Sequence, residues 1–157
     1  MNSEESARSD IWDRAYQVGV VVRDLDEAKA FYERLGVGPF VEGPSAHTLE
    51  RKIYGEPSAD AAVRGAIAQM GNIEFELLQP VSGRTVQGDF LEEHGEGVVH
   101  ICGYSDDIDR DIAELTGLGY KIISEGRIED GGRFAYFDTR RVGGLVLELY
   151  QPGSTWE

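Results

Sequence analysis

Four residues in this chain are of types that together hold a divalent cation and move protons beside it: Gln17, Glu76, His100 and Glu148. One imidazole, one amide oxygen and two carboxylates suit a borderline or hard ion such as Zn, Ni, Co, Mn or Fe, with water completing a shell of more than four ligands. The carboxylates would balance the ion's charge. Taken singly, each residue reads as an ordinary polar side chain on a strand, solvated or hydrogen-bonded. What sets the four apart is where the chain puts them.

Glu76 lies in Ile73 to Leu78, where Ile73, Phe75 and Leu77 make one apolar face and Glu74 and Glu76 fall on the other, the period of a strand. Glu148 lies opposite Leu145, Leu147 and Leu149 in Leu145 to Tyr150. A carboxylate in the middle of such a strand is costly unless it meets water, a hydrogen bond or a cation. Gln17 likewise lies opposite Val18, Val20 and Val22, and His100 opposite Val99 and Ile101. With helices covering the apolar faces, all four side chains are expected on one concave side.

The elements that must position them are written twice. QVGVVVRDLDEAKAFYERLG, residues 17–36, aligns without a gap on HICGYSDDIDRDIAELTGLG, residues 100–119, pairing Asp24 with Asp107, Leu25 with Ile108, Asp26 with Asp109, Leu35 with Leu118 and Gly36 with Gly119. Each copy opens as a strand. Asp24 then stands where a helix N-cap is wanted, with Glu27 three residues on, and Asp26 and Glu27 suit the positive end of the helix dipole. Leu25, Ala28, Phe31, Tyr32 and Leu35 recur at helical spacing, and Gly36 fits a left-handed C-terminal cap. In the second copy Ile108, Ile112 and Leu115 form the stripe and Gly119 ends it.

After the first helix the sequence predicts a short strand near Phe40, a loop at Glu56 to Asp60, a strand over Ala62 to Met70, a turn at Gly71-Asn72 and a hairpin partner from Ile73, with Pro80 closing the module. The segment Ser45 to Ala61 exceeds a minimal connection and is expected to cover the cavity. A helical piece, Asp89 to Glu93, lies in the connector, and strands are predicted at Lys121 to Glu125, Arg133 to Asp138 and Leu145 to Tyr150. The organisation expected is a leader (1–13), a first module (14–80), a connector (81–96), a second module (97–152) and a tail (153–157). The fold class is α+β, two tandem βαβββ modules forming a curved, open-barrel mixed sheet with helices outside.

Length and charge bound the function. A chain of 157 residues, 41% apolar and 28% charged, is long enough for one good core or two small fused ones. Fifteen basic against 29 acidic residues, a net charge of −14, disfavour nucleic acid and anionic membranes, whereas a cation or cationic ligand would be attracted. No run approaches the roughly 20 apolar residues of a membrane span. MNSEESARSD lacks the apolar core of a signal peptide, and the lone Cys102 allows no internal disulfide, so a cytoplasmic location is expected.

From about Tyr16 to Pro152 the chain resembles the vicinal oxygen chelate superfamily, which groups glyoxalases, epimerases, bleomycin-resistance proteins and extradiol dioxygenases. The matching motifs are QVGVVVRDLDEAKAFYERLG, IEFELLQP, GVVHICGYSDDID and GGLVLELYQP. The second and third are most similar to methylmalonyl-CoA epimerases, and the resemblance places ligand roles on Glu76, His100 and Glu148. Gln17 stands where those epimerases carry His; Gln there resembles eukaryotic glyoxalase I. It also removes one His from the two-His, one-carboxylate iron site of extradiol dioxygenases.

What the resemblance implies is a metal-dependent isomerase, epimerase or lactoylglutathione lyase-like enzyme, with one divalent ion and a small carbonyl or acyl-thioester substrate. Glu148 is then the base that removes a proton next to the polarised carbonyl, and Glu76 the second acid or base. Tyr104, Arg133, Tyr136 and Cys102 are expected at the substrate, and a homodimer is implied. Arg84, Arg127, Arg140 and Arg141 could meet an acyl-CoA phosphate but read first as solvated, as do His47 and His94. The alternative is a non-catalytic protein of the same fold that binds a cationic drug; such proteins lack the four ligands.

Overall fold

The computed structural model describes residues 10–43 and 48–153. His47, the start of the segment expected to cover the cavity, most of the leader and residues 154–157 lie outside them. A 3-10 turn at Ile11–Arg14 leads into β1 (Ala15–Val21), α1 (Leu25–Glu33), β2 (Val41–Glu42), β3 (Thr48–Ile53), β4 (Glu56–Pro57), β5 (Ala62–Met70) and β6 (Ile73–Ser82). Then come α2 (Val86–His94), β7 (Gly97–Tyr104), α3 (Ile108–Gly117), β8 (Ile122–Ile128), β9 (Arg133–Phe137) and β10 (Val146–Gln151). One curled mixed sheet runs β2-β5-β6-β1-β7-β10-β9-β8-β3-β4. No helix among the described residues is long and apolar enough to cross a membrane.

The duplicated signals act as written. Asp24 accepts a hydrogen bond from the backbone N–H of Glu27 at 2.9 Å, and Asp107 one from Arg110 at 3.0 Å. Gly36 and Gly119 close the helices at φ +87° and +94°, the left-handed region that a Cβ resists. Helix α1 covers the outer face of its module through Leu25, which packs with Val22, Phe40, Ala66 and Leu77. Helix α3 does the same through Ile108 and Leu115, which pack with Ala135, Phe137 and Leu149. The chain enters this second cluster early. Ile11 is fully buried within it, so residues 10–13 belong to the packed structure rather than to a frayed leader.

Four expectations need correction. Phe31 and Leu35 are 52% and 68% exposed; at about 100° per residue Phe31 sits roughly 120° around from Leu25, and Leu35 lies past the end of α1. β6 continues through Pro80 to Ser82, because Pro80 pairs with Val63 beside a register shift that relieves the missing donor. The helical piece in the connector is longer, with Thr85 as N-cap accepting from Gly88 at 2.9 Å. Residues 48–57, including the start of the loop expected at Glu56, form the β3/β4 hairpin. β3 leaves its own module and pairs antiparallel with β8, setting Arg51 against Gly126 and Ile53 against Ser124.

Replacing Asp24 or Asp107 by Ala should each lower the unfolding free energy by about 1 kcal/mol, and the double variant should show their sum, since the caps share no partner. Denaturant titration of the three variants checks this.

Candidate functional site

The two modules meet where β1 pairs antiparallel with β7, and each of these strands has the last strand of its own module alongside in parallel, β6 on β1 and β10 on β7. The four candidate ligands therefore come from four neighbouring strands at the middle of the sheet. The register aligns them: Gly19 is opposite both Glu76 and His100, and Cys102 is opposite both Gln17 and Glu148.

All four side chains converge. Nε2 of His100 lies 3.0 Å from Oε1 of Gln17, 3.2 Å from Oε2 of Glu148 and 3.3 Å from Oε2 of Glu76. His100 is wholly buried, and the Glu148 and Glu76 side chains are 9% and 18% exposed. The ring reaches this point only because residue 19 is glycine. A Cβ there would stand 2.3–2.6 Å from three ring atoms of His100. Glu74 fixes the Gln17 amide, accepting from its Nε2 at 3.0 Å and so turning Oε1 toward the imidazole.

One imidazole N–H cannot serve three oxygens. Oε2 of Glu148 is buried with no hydrogen-bond partner, an expense of about 1–3 kcal/mol if nothing else met it. A divalent ion bound at about 2.0–2.2 Å sets adjacent ligand atoms roughly 3.0–3.4 Å apart, and each of the three oxygens stands 3.0–3.3 Å from Nε2. Among the described residues no three His, Cys, Asp or Glu form a ready-made ion cage. The set here is mixed, with the Gln17 amide as a fourth donor and its atoms drawn in around Nε2. Its donor types and spacing fit the ion that the resemblance implies.

Burial pushes the Glu148 carboxyl up to about 7, with Glu76 adding to the rise and the His100 charge opposing it. Burial alone would lower the His100 imidazole, but Glu148 and Glu76 outweigh it and raise it. The Cys102 thiol and the Tyr16 and Tyr136 hydroxyls are all raised, chiefly by burial, so they stand as protonated donors.

Above the cluster opens a cavity of about 460 Å³. Tyr104, Tyr136 and Cys102 line it, as expected, but Arg133 does not. Its guanidinium holds Asp109 of α3 in two bonds of 2.9 and 3.0 Å. Arg84 pairs with Asp89 and Arg140 with Asp138, while Arg127, Arg141 and His94 are exposed. The cavity residues not assigned from sequence include Tyr16, Arg51, Glu74 and Gln87. Tyr16 reaches Cys102 because the register shifts between Ala15 and Gln17, so adjacent residues both reach the cavity. A second shift, between Gly19 and Val20, leaves Val99 buried with Val21, Phe134 and Tyr136 rather than on the face opposite His100. Gln87, on α2, donates to the Tyr136 hydroxyl at 3.1 Å. Only Glu74 had a visible signal, its shared face with Glu76.

Gly19→Ala should destabilise the fold by about 1–3 kcal/mol or more through the clash with His100. Gly65→Ala, whose Cβ would meet Leu78 at 3.4 Å, should be tolerated. Melting temperatures of the pair, measured side by side, check this.

A family model described as the Glyoxalase/Bleomycin resistance protein/Dioxygenase superfamily matches residues 16–137. The uncharacterized protein YqjC of Bacillus subtilis (strain 168) is 23% identical over 141 residues, spanning 88% of this chain and 92% of that protein. Mitochondrial methylmalonyl-CoA epimerase of Bos taurus is 28% identical over 146 residues, 90% of this chain and 77% of that protein. A solved Streptomyces coelicolor methylmalonyl-CoA epimerase variant, in complex with 2-nitronate-propionyl-CoA, shares the fold at a TM-score of 0.65 and 23% identity, over 90% of this chain and 98% of that one. With the model covering most of both modules, the chain belongs to the glyoxalase/bleomycin resistance protein/dioxygenase superfamily.

Proposed function

We propose that the chain is an enzyme that removes a proton from the carbon beside a carbonyl or thioester and returns one, with a divalent ion as cofactor. The observation that carries this reading is the approach of the Gln17, Glu76 and Glu148 oxygens to Nε2 of His100 beneath an open cavity. The relatives named as methylmalonyl-CoA epimerases support an epimerase-like reaction and an acyl-thioester substrate.

Gln17, Glu76, His100 and Glu148 would hold the ion, which when bound supplies a Lewis acid for the substrate's carbonyl oxygen. Glu148 is the base: its carboxylate belongs to the cavity wall, and on substrate binding one of its oxygens would leave the ion and accept the proton. The proton passes from carbon to that oxygen and the electron pair moves toward the carbonyl. Glu76, more exposed, returns a proton from another direction. Return to the same carbon from the opposite face inverts it; return to the neighbouring carbon gives the glyoxalase-type isomerisation. Tyr16 and Tyr136, held protonated, offer hydrogen bonds to substrate oxygen, and Val63, Ile67, Leu78 and Phe134 keep the reacting carbon dry.

Protein purified without chelator should carry about one equivalent of divalent metal per chain. In D2O it should catalyse deuterium entry at C2 of methylmalonyl-CoA or into a thiohemiacetal of methylglyoxal. Glu148→Gln should slow that exchange by about 10²–10⁴-fold with the melting temperature little changed. Metal-free protein that exchanges neither compound would favour ligand binding over catalysis, and exchange that survives in Glu148→Gln would remove Glu148 as the base.

A further inference from the structure

Gln87 is a polar side chain in an apolar place. It is 2% exposed, and its neighbours on α2, Val86, Phe90 and Leu91, all pack against the inner cluster of Val63, Leu78, Val99 and Tyr136. An aliphatic residue of the same length would fill that place without taking an amide out of water. Thr85 holds the first turn of α2 by accepting from Gly88, so Gln87 joins the cavity wall from a fixed backbone.

Only half of the amide is used. Nε2 donates to the Tyr136 hydroxyl at 3.1 Å, whereas Oε1 is buried with no hydrogen-bond partner. Tyr136 decides which amide atom faces it. Its hydroxyl has one proton to give, and the Glu148 carboxyl, an acceptor only when ionised, takes that proton until substrate arrives. Toward Gln87 the hydroxyl is therefore an acceptor, so the amide turns its N–H to Tyr136 and leaves Oε1 over. The chain Gln87, Tyr136, Glu148 sets this unengaged oxygen one hydroxyl away from the base. A buried acceptor in a cavity wall, with no donor from the protein, is completed by a donor that enters the cavity.

We propose that Gln87 is a specificity residue whose Oε1 accepts a hydrogen bond from a donor on the substrate, carried beside the reacting carbon. The placement of that donor next to the reacting carbon rests on the proposed function; the acceptance of a donor does not. A compound that presents only acceptors or apolar groups at this point leaves the amide oxygen stranded and binds more weakly. A hydroxyl is the smallest such donor and so the one to probe with.

The probes are the N-acetylcysteamine thioesters of racemic lactic acid and racemic 2-fluoropropionic acid, which set a hydroxyl against a fluorine of similar size. Both are titrated calorimetrically into wild type, Gln87→Met and Gln87→Glu. Wild type should prefer the lactoyl compound by about tenfold or more, as one buried acceptor met rather than unmet provides. Gln87→Met, which keeps the length and packing of the side chain, should bring the two affinities together with the melting temperature little changed. Gln87→Glu, which keeps an acceptor, should retain part of the preference. An ion at His100 would act on the hydroxyl in all three proteins, so the change between them reads the amide alone. Equal affinities in wild type, the result if a resident water already serves Oε1, would overturn the proposal, as would an unchanged preference in folded Gln87→Met. Deuterium exchange separates the two readings: its absence from a wild type that keeps the lactoyl preference removes the reaction and leaves the role of Gln87 in place.

Discussion

Everything in the centre of this protein depends on an imidazole lying flat against a backbone with no side chain in its way. Gly19 permits that contact, and His100 uses it to stand wholly buried between two modules while three oxygens approach a single nitrogen. Such a cluster is unfavourable as neutral protein chemistry: acceptors crowd one donor, and a carboxylate oxygen is stranded. The sheet imposes the arrangement through its register. β1 and β7 are joined along their length, and β6 and β10 are locked beside them. Stability is spent in the middle of the fold on groups that are useful only toward something that enters the cavity.

Duplication explains why so much of this could be read from the chain. A side chain that opens the first strand or sits on the last strand of one module has a counterpart in the other, so period-two alternation alone predicted that Gln17, Glu76, His100 and Glu148 share a face. The caps Asp24 and Asp107 and the left-handed Gly36 and Gly119 were equally legible, because they are local: their partners are three residues away or the backbone itself. Helix orientation was read well at Leu25 and Ile108 and poorly at Phe31 and Leu35, where apolar character was taken for burial.

What the sequence hid was non-local or irregular. Two register shifts beside the site bring Tyr16 to the cavity and turn Val99 into the inner cluster, and no pattern of residue types announces either. Arg51 carried no signal in the sequence, because it reaches the cavity only through the pairing of β3 with β8, more than seventy residues later in sequence. Arg133 was the reverse case, a plausible pocket residue whose guanidinium found Asp109 instead. Gln87, in the connector, becomes a cavity residue because α2 closes the inner side of the sheet with Val86, beside Val63, Leu78 and Phe134.

The hairpin has one more effect, on the sheet's perimeter. Because β3 and β4 travel across, both ends of the ten-strand order belong to the first half of the chain, and each end is a strand of two residues, Val41–Glu42 and Glu56–Pro57. Neither offers a run of free backbone amides long enough to accept a strand from another molecule, and Pro57 has no amide hydrogen to give. At these two short strands the sheet therefore gives another molecule's strand little to pair with.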